Sequence, residues 1–244
     1  MPGLRLLPHI AADGPTQMAW DEALLEVAAG PTLRCYSWRQ ATVSLGYFQD
    51  HAAVVATLPP GMPVVRRITG GGAIWHEHEV TYCLVGRLGQ AGFPASPKQF
   101  YPLLHGAVAR ALRRHGAGPT LQDQTIGDRR YRDEVRCFAS PAADDLVLAG
   151  GKALGSAART RGDRLLIHGS LKLASNPWDQ GVVTGIGMAA DQAESLLSQA
   201  LAEAVGLTLE RNESTTAERR TMERIRTERY DTTAWVVERQ GPRP

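Results

Sequence analysis

A run of three glycines is flanked by residues that could bind an anion or move a proton. Arg66 and Arg67 precede the run, and His76 follows it by four residues. Three glycines let the backbone approach a ligand closely and present N–H groups that suit a carboxylate or a phosphate. A tight hairpin turn in a β-rich domain would explain the same glycines. The run consists of Gly70, Gly71 and Gly72, with Thr69 before it and Ala73 after it.

A second glycine-rich segment surrounds a single lysine. Lys152 follows Gly150 and Gly151, and small residues continue after it. A lysine among small residues can reach into a pocket as a compact cation with three hydrogen-bond donors. A solvated hairpin lysine would fit the same pattern. The following small residues include Gly155, Ser156 and Ala157, and a strand-like run further along carries His168 and Gly169.

Cys137 is a candidate nucleophile, placed between Arg136 and Phe138 and 15 residues before Lys152. Nearby cations would favour the thiolate, which is the reactive form of cysteine. A thiolate beside a fixed ammonium suits acyl transfer, because the sulfur attacks a carbonyl carbon while the ammonium stabilises the oxyanion. A cysteine that only packs as a small apolar side chain is the alternative.

Hydrophobic periodicity predicts the elements that must position these residues. A helix over 16–29, capped by Asp13 or Thr16, is followed by strands and then by an amphipathic helix over 97–115. Polar residues 118–136 are predicted to form a loop that covers the site. A further helix is expected at 190–206, a solvated helix or a partly disordered segment at 210–228, and docking of the end through Tyr230 and Trp235. Strands are predicted at 33–37, 42–47, 64–68, 80–85, 145–149, 152–158 and 164–173.

Composition excludes several classes of function. The 244 residues suffice for one substantial α/β domain. A net charge of +2 gives no electrostatic case for nucleic-acid binding. We expect no membrane span and no signal peptide, because the apolar runs are too short. Three cysteines without zinc-ligand spacing indicate a reducing, cytoplasmic compartment and no metal site.

These motifs together resemble the lipoate-protein ligase and octanoyltransferase superfamily, which also includes the biotin protein ligases. The resemblance covers roughly residues 4–190. Its parts are the opening helix at 17–25, a first hairpin at 33–38 and 43–49, the turn from Arg66 to His76, and Gly151-Lys152. It implies a mixed α+β fold with largely antiparallel sheets flanked by helices, similar to a class II synthetase or biotin/lipoate ligase catalytic domain. Residues 1–208 would form that domain, and residues 209–244 a charged extension with no separate accessory domain.

Within the superfamily, the chain is most similar to octanoyltransferases that have Cys-Phe-x-x-Pro about 15 residues before the motif lysine. The segment Cys137–Pro141 fits that pattern, and residues 76–82 fit its His-x-x-Glu-x-Thr-Tyr sequence. Another octanoyltransferase class keeps its cysteine in a Pro-Cys-Gly element, and residues 183–186 carry none. There are two departures. Gly72 stands where octanoyltransferases often have arginine and ligases have glycine, so it favours the ligases. Asp144-Asp145-Leu146 stands where an aromatic-Glu-Leu is expected, although Asp145 keeps the acid.

The resemblance implies an enzyme of protein lipoylation, which moves an octanoyl or lipoyl group onto a lysine of a carrier domain through a Cys137 thioester. It needs no cofactor; acyl carrier protein is the donor, and the acceptors are lipoyl domains of 2-oxo acid dehydrogenases or the glycine cleavage H protein. Lys152 would hold the carbonyl oxygen, and His76 or His168 would act as a base or orient the loop. We expect a monomer. The residues expected to bind substrate are Arg66, Thr69, Gly70, Gly71, Gly72, Ala73, Gly155, Ser156, Ala157 and Gly169.

Two alternatives remain open. An ATP-dependent lipoate-protein ligase would use ATP and Mg to form a lipoyl-adenylate, and Arg66 would then contact a nucleotide phosphate. A non-catalytic homologue would bind acyl groups or lipoyl domains with Cys137 inert and Lys152 as an anchor. The sequence favours the transferase.

Overall fold

The computed structural model describes residues 3–127 and 131–241. The chain forms a mixed nine-stranded sheet and a small three-stranded sheet, with helices packed on them. The expected α+β architecture is therefore confirmed. The strands are β1 (Gly3–Leu6), β2 (Ile10–Ala12), β3 (Thr32–Trp38), β4 (Thr42–Leu45), β5 (Val64–Arg66), β6 (Ile74–His76), β7 (Glu79–Arg87), β8 (Thr120–Leu121), β9 (Leu146–Leu148), β10 (Gly151–Arg161), β11 (Arg164–Lys172) and β12 (Thr208–Arg211).

Six α-helices accompany the sheets in the described residues. Helix α1 begins two residues before the predicted start, and the Asp13 side chain caps it by accepting a 2.9 Å hydrogen bond from the Thr16 amide. A 3₁₀ turn at Pro97–Gln99 leads into α3, and a π turn at Arg226–Tyr230 follows α5. The helices are α1 (Gly14–Val27), α2 (His51–Val55), α3 (Phe100–Arg114), α4 (Ala190–Ala204), α5 (Thr216–Ile225) and α6 (Thr233–Glu238).

The antiparallel ladder β7–β11–β10 is the frame of the large sheet. Its order is β12-β1-β3-β7-β11-β10-β9-β8, with β2 paired to β3. In this register His168 on β11 lies opposite Ala157 on β10 and Cys83 on β7, and Gly169 lies opposite Ser156. A register shift after Lys152 interrupts the pairing with β9. The ladder thereby brings the lysine segment and the His168 segment side by side.

The small sheet carries the glycine turn. Strand β4 is central, with β5 parallel on one side and β6 antiparallel on the other. The predicted strand 64–68 ends at Arg66, and the turn through Gly72 connects β5 to β6. Sequence periodicity did not indicate β6 because it has only three residues, Ile74–His76. The turn thus projects from the small sheet toward the ladder of the large one.

Helices pack on both faces of the large sheet and divide the apolar core into separate clusters. Helices α3 and α4 pack together in an apolar cluster with the large sheet. Helix α1 packs against α5 and belongs to a second cluster that also contains Tyr230 and Trp235. Tyr230 is 2% exposed and Trp235 is completely buried, so the end of the chain docks as the aromatic residues indicated.

Part of the region expected to be a solvated helix or partly disordered is a strand followed by a largely exposed helix, so the helix alternative is confirmed there. Strand β12 pairs in parallel with β1, from Gly3 opposite Thr208 to Leu6 opposite Arg211. Strand β12 and helix α5 include most of the described residues from 208 to 225. Parallel pairing between such distant segments leaves no local signal in the sequence. Among the described helices, none is both long and apolar enough to cross a bilayer.

Candidate active site

Cys137 and Lys152 meet at the start of strand β10. The Nζ atom of Lys152 lies 3.5 Å from Sγ of Cys137 and 3.4 Å from the carbonyl oxygen of the same residue. Lys152 is 2% exposed, whereas Cys137 is partly exposed. The structure therefore pairs a reachable sulfur with a buried cation, as the sequence predicted.

Asp145 holds the ammonium group from the other side. Its Oδ2 atom lies 2.7 Å from Nζ of Lys152, and the same oxygen accepts a 2.6 Å hydrogen bond from the Ala142 amide. Burial lowers the pKa of Lys152, but the charges of Cys137 and Asp145 outweigh burial and raise it above its usual value. Lys152 is therefore a permanent cation at neutral pH.

Gly155 provides the space that Lys152 occupies. A Cβ atom at position 155 would lie 2.4 Å from Cε and 2.6 Å from Nζ of the lysine. Gly169 on the neighbouring strand is equally constrained, since a Cβ there would lie 2.3 Å from the Ser156 hydroxyl. These two expected site glycines thus shape the site by leaving room for other side chains.

The glycine turn supports the backbone of the cysteine loop. The amide of Cys137 donates a 2.8 Å hydrogen bond to the Ala73 carbonyl, and the Ala73 amide donates to Val135 at 2.7 Å. A Cβ at Gly72 would lie 2.8 Å from the Cys137 nitrogen and 2.5 Å from the Tyr131 ring. Glycine at position 72 therefore lets the cysteine loop pack directly on the turn.

Arg67 fixes the shape of the turn from within. Its guanidinium donates to the carbonyl oxygens of Gly70 and Gly72 at 2.8 and 2.7 Å, and to that of Ser44 at 2.9 Å. Gly71 between them has φ of +95°, a conformation in which glycine is favoured. Arg67 was not among the predicted site residues, although Arg67 is next to Arg66 in the chain.

Arg66 does not line the cavity described below. Its guanidinium donates to five carbonyl oxygens, two of which belong to Val236 and Val237 in helix α6. Gly46, Tyr47 and Gln49 supply the others. Arg66 is the last residue of β5 and Arg67 follows it, so their side chains leave the backbone on opposite sides and only one of the two arginines faces the site. Arg66 anchors the segment before the turn to the C-terminal helix.

His168 is held at both ring nitrogens. Nδ1 lies 2.8 Å from Oδ2 of Asp21, and Nε2 lies 2.7 Å from the Thr69 hydroxyl. Asp21 also forms a 2.9 Å ion pair with Arg34, which holds the carboxylate in place. His168 thus connects helix α1 to the residue that begins the glycine turn, and it lines the cavity.

His76 belongs to a separate buried network. Nδ1 lies 2.6 Å from Oε1 of Glu79, Nε2 lies 2.7 Å from the Ser44 hydroxyl, and the ring stacks on Trp38 at 3.9 Å. Burial lowers the pKa of His76, although Glu79 opposes that effect. Lys172 makes a 2.7 Å ion pair with the other Glu79 oxygen. A histidine restrained on three sides is better suited to orientation than to proton transfer.

A cavity with about 70 Å³ of internal free space lies beside the Cys137–Lys152 pair and opens to solvent. Tyr131, from the polar loop at 118–136, lines it, and burial raises the Tyr131 pKa to about 12. Residues 128–130 of that loop lie outside the described residues. The lining includes Met18, Tyr36, Ser44, Arg67, Gly70, Gly71, Ile74, His76, Thr81, Tyr131, Cys137, Asp145, Lys152, Gly155, Ser156, Ala157, His168, Gly169 and Ser170.

The charge of Arg136 was expected to act on the neighbouring thiol, but its guanidinium has other partners. Its guanidinium binds the Glu134 carboxylate through Nε at 2.9 Å and Nη2 at 2.7 Å, and donates to the Trp178 carbonyl. Glu134 therefore neutralises the charge of Arg136 locally. Among the residues that the structure describes, Lys152 is the cation in contact with Sγ.

The chain is similar to proteins that are already known. The family model for the lipoyl protein ligase A/B catalytic domain matches residues 13–220. Octanoyltransferase LipM of Moorella thermoacetica is 37% identical over 70% of this chain and 66% of its own length. Octanoyltransferase LipM of Kyrpidia tusciae is 31% identical over 91% of this chain and 94% of its own. The chain thus spans about two thirds of the first relative and nearly all of the second.

Solved structures show the same fold. A lipoate-protein ligase A crystallised with ATP superposes with a TM-score of 0.80, at 20% identity, over 97% of this chain and 99% of its own. At that identity the likeness concerns the fold alone. The sequence motifs and the family model agree with it, and the chain belongs to the lipoyl protein ligase A/B catalytic domain family.

Proposed function

We propose that this protein transfers an octanoyl or lipoyl group onto a lysine of a lipoyl-type carrier domain through a thioester on Cys137. The observation that carries the proposal is the 3.5 Å contact between Sγ of Cys137 and Nζ of Lys152 at a largely apolar cavity. An acyl tail gains roughly 0.8 kcal/mol for each buried methylene, so such a cavity would favour a medium-length chain.

In the first step, the Cys137 thiolate attacks the carbonyl carbon of an acyl thioester carried by acyl carrier protein. The Lys152 ammonium lies where it can stabilise the developing oxyanion. The carbon–sulfur bond to the carrier breaks, and the carrier thiolate leaves and takes up a proton from solvent. The acyl group then rests on Cys137.

In the second step, the neutral amine of the acceptor lysine attacks the Cys137 thioester. The new carbon–nitrogen bond replaces the carbon–sulfur bond, and the amine proton passes to the departing Cys137 sulfur. We assign His168 and His76 to positioning, because both ring nitrogens of each already have partners. The proposed acceptors are lipoyl domains of 2-oxo acid dehydrogenases or the glycine cleavage H protein.

We further propose that transfer proceeds without ATP. In the ligase alternative Arg66 was the residue expected at a nucleotide phosphate. Its guanidinium is instead occupied by five backbone carbonyls, so it does not fit that role. LipM relatives that carry the octanoyltransferase name support the same choice.

The decisive experiment is intact mass spectrometry of the purified protein after incubation with octanoyl-acyl carrier protein in the absence of ATP. We expect a gain of one octanoyl group that disappears in Cys137→Ala and persists in the matched variant Cys35→Ala. Transfer to a lipoyl domain should then release the group. Absence of the adduct, with adenylate formation after addition of ATP and lipoate, would establish the ligase instead. Lipoyl-domain binding with neither product would indicate the non-catalytic homologue.

A further inference from the structure

The ring of Phe138 lies close to two ammonium groups. Nζ of Lys152 and Nζ of Lys172 are each 5.0 Å from the ring centroid. Phe138 is 1% exposed and follows Cys137 directly in the chain. Both distances are within the range in which an aromatic face attracts a cation, and this attraction is strongest when water is excluded.

Each of the two ammonium groups also has a carboxylate partner. Lys152 pairs with Asp145 and Lys172 pairs with Glu79, both at 2.7 Å. The four charged side chains are 6% exposed or less. Phe138 therefore connects two buried ion pairs, one at the reactive sulfur and one in the His76 network.

The carboxylate and the sulfur compete for the Lys152 ammonium. The nitrogen lies 2.7 Å from Asp145 and 3.5 Å from Sγ of Cys137, so Asp145 alone would draw it away from the sulfur. The Phe138 ring provides a further attraction in a residue that is covalently joined to Cys137. Phe138 does not line the cavity, so it has no direct part in substrate binding.

We propose that Phe138 is a positioning residue, whose ring holds the Lys152 ammonium at the Cys137 sulfur through paired cation–π contacts with Lys152 and Lys172. This inference rests on the proposed acyl transfer. The proposed effect of Phe138 is electrostatic, which distinguishes it from ordinary packing. A ring of nearly the same size with a weaker quadrupole would pack equally well but hold the cation less well.

The test replaces Phe138 by 4-fluoro-, 3,5-difluoro- and 3,4,5-trifluorophenylalanine, which progressively weaken the negative potential of the ring face. We expect kcat for octanoyl-thioester formation to fall stepwise, by about tenfold across the series, with KM unchanged. The rate at which iodoacetamide alkylates Cys137 at neutral pH should fall in parallel. Each analogue should still fold cooperatively, because the substituted ring has nearly the same size.

The same analogues at Phe100 provide the matched control. Phe100 is also fully buried, and its ring packs edge-on against Phe93. A flat response at Phe138, or an equal response at both positions, would overturn the proposal. If the unsubstituted protein forms no octanoyl thioester, the transferase assignment fails while the alkylation series still decides the role of Phe138: a graded fall supports it and a flat series overturns it.

Discussion

The carboxylate of Asp145 lies 2.7 Å from the Lys152 ammonium, closer than any other partner that the structure gives this nitrogen. The two residues lie seven positions apart, across the β9–β10 hairpin. Asp145 thereby keeps a buried lysine charged where a neutral amine would otherwise be favoured by burial.

Asp145→Asn should therefore slow thioester formation. Loss of the carboxylate lowers the Lys152 pKa, so a smaller fraction of the buried amine carries the charge that stabilises the oxyanion, and we expect a rate decrease of at least about tenfold. Single-turnover mass spectrometry with octanoyl-acyl carrier protein measures it. Asp144→Asn is the control, because this neighbour has φ of +69°, a region that asparagine tolerates. Equal rates in the two variants would refute the role of Asp145.

Native alkylation should distinguish the three cysteines. Burial raises the thiol pKa of both Cys35 and Cys83, which are 1% and 0% exposed, so neither should react. We expect one iodoacetamide adduct, located on Cys137 by peptide mapping, and three adducts in concentrated urea. Cys137→Ala should give none under native conditions. Modification of Cys35 or Cys83 in the folded protein would contradict the burial that the structure shows.

Gly72→Ala tests the contact between the turn and the cysteine loop. The added Cβ would lie 2.8 Å from the Cys137 nitrogen, so the loop must shift away. We expect slower thioester formation by about tenfold or more, since displacement of a reacting group by an ångström has a large effect. Gly70→Ala is the matched control, because no atom lies within 4 Å of its Cβ position. Equal activity of both variants would show that the close packing at Gly72 is unimportant.

Stability should decrease in mild acid because of His105. Its ring is buried, with Nδ1 2.6 Å from the Asp144 carbonyl and Nε2 2.7 Å from the Ser156 hydroxyl. Burial lowers its pKa in the folded state. Below about pH 6.5 the unfolded chain therefore binds more protons than the folded protein. The contribution of His105 to stability is complete above that pH, and it is lost as the pH falls toward the pKa of His105 in the folded state.

The measurement is the free energy of unfolding in urea between pH 7.5 and 5. Each such histidine contributes at most about 1.4 kcal/mol per pH unit. His105→Gln should reduce the slope without removing it, because burial also lowers the His76 pKa. An unchanged slope in the variant would show that His105 does not titrate differently on folding.

Trp235 should be the principal anchor of the C-terminal helix. Its side chain is fully buried, and its indole donates a 2.9 Å hydrogen bond to the Arg66 carbonyl. Trp235→Ala should lower the free energy of unfolding by about 3–5 kcal/mol. Val237→Ala, at a side chain 38% exposed, should change it by less than about 0.5 kcal/mol. Urea denaturation of the two variants measures both, and a small loss for Trp235→Ala would show that this end is loosely held.

The sequence predicted the parts of the site that depend on local motifs. Cys137 and Lys152 were selected by residue type and spacing, and the structure brings them together. Which of Arg66 and Arg67 faces the site depends on the alternation of side chains along the extended backbone. Strand β5 has only three residues, so the sequence pattern could not predict which arginine points inward. Tyr131 lies in the polar segment that was predicted to cover the site, but no periodicity in that segment indicated which of its residues would line the cavity. The partners of the two histidines also depend on tertiary contacts.

The long elements of the fold were predicted, and most of the elements that were missed are short. Helices α1, α3 and α4 have strong apolar periodicity or a capping residue, and each was found. Strands β1 and β12 have four residues each and are stabilised mainly by pairing with each other. Such pairing is a property of the assembled sheet, which no local window contains.

The hydrogen bond from Arg66 to the Val236 carbonyl joins residues 170 positions apart. During synthesis on the ribosome, the strand before the glycine turn emerges long before its acceptor at Val236. The guanidinium must remain hydrated or bind elsewhere until helix α6 has left the exit tunnel. The anchoring of the segment before the glycine turn is therefore completed only after helix α6 has been made, and a nascent chain stalled before residue 236 would carry Cys137 without this anchor.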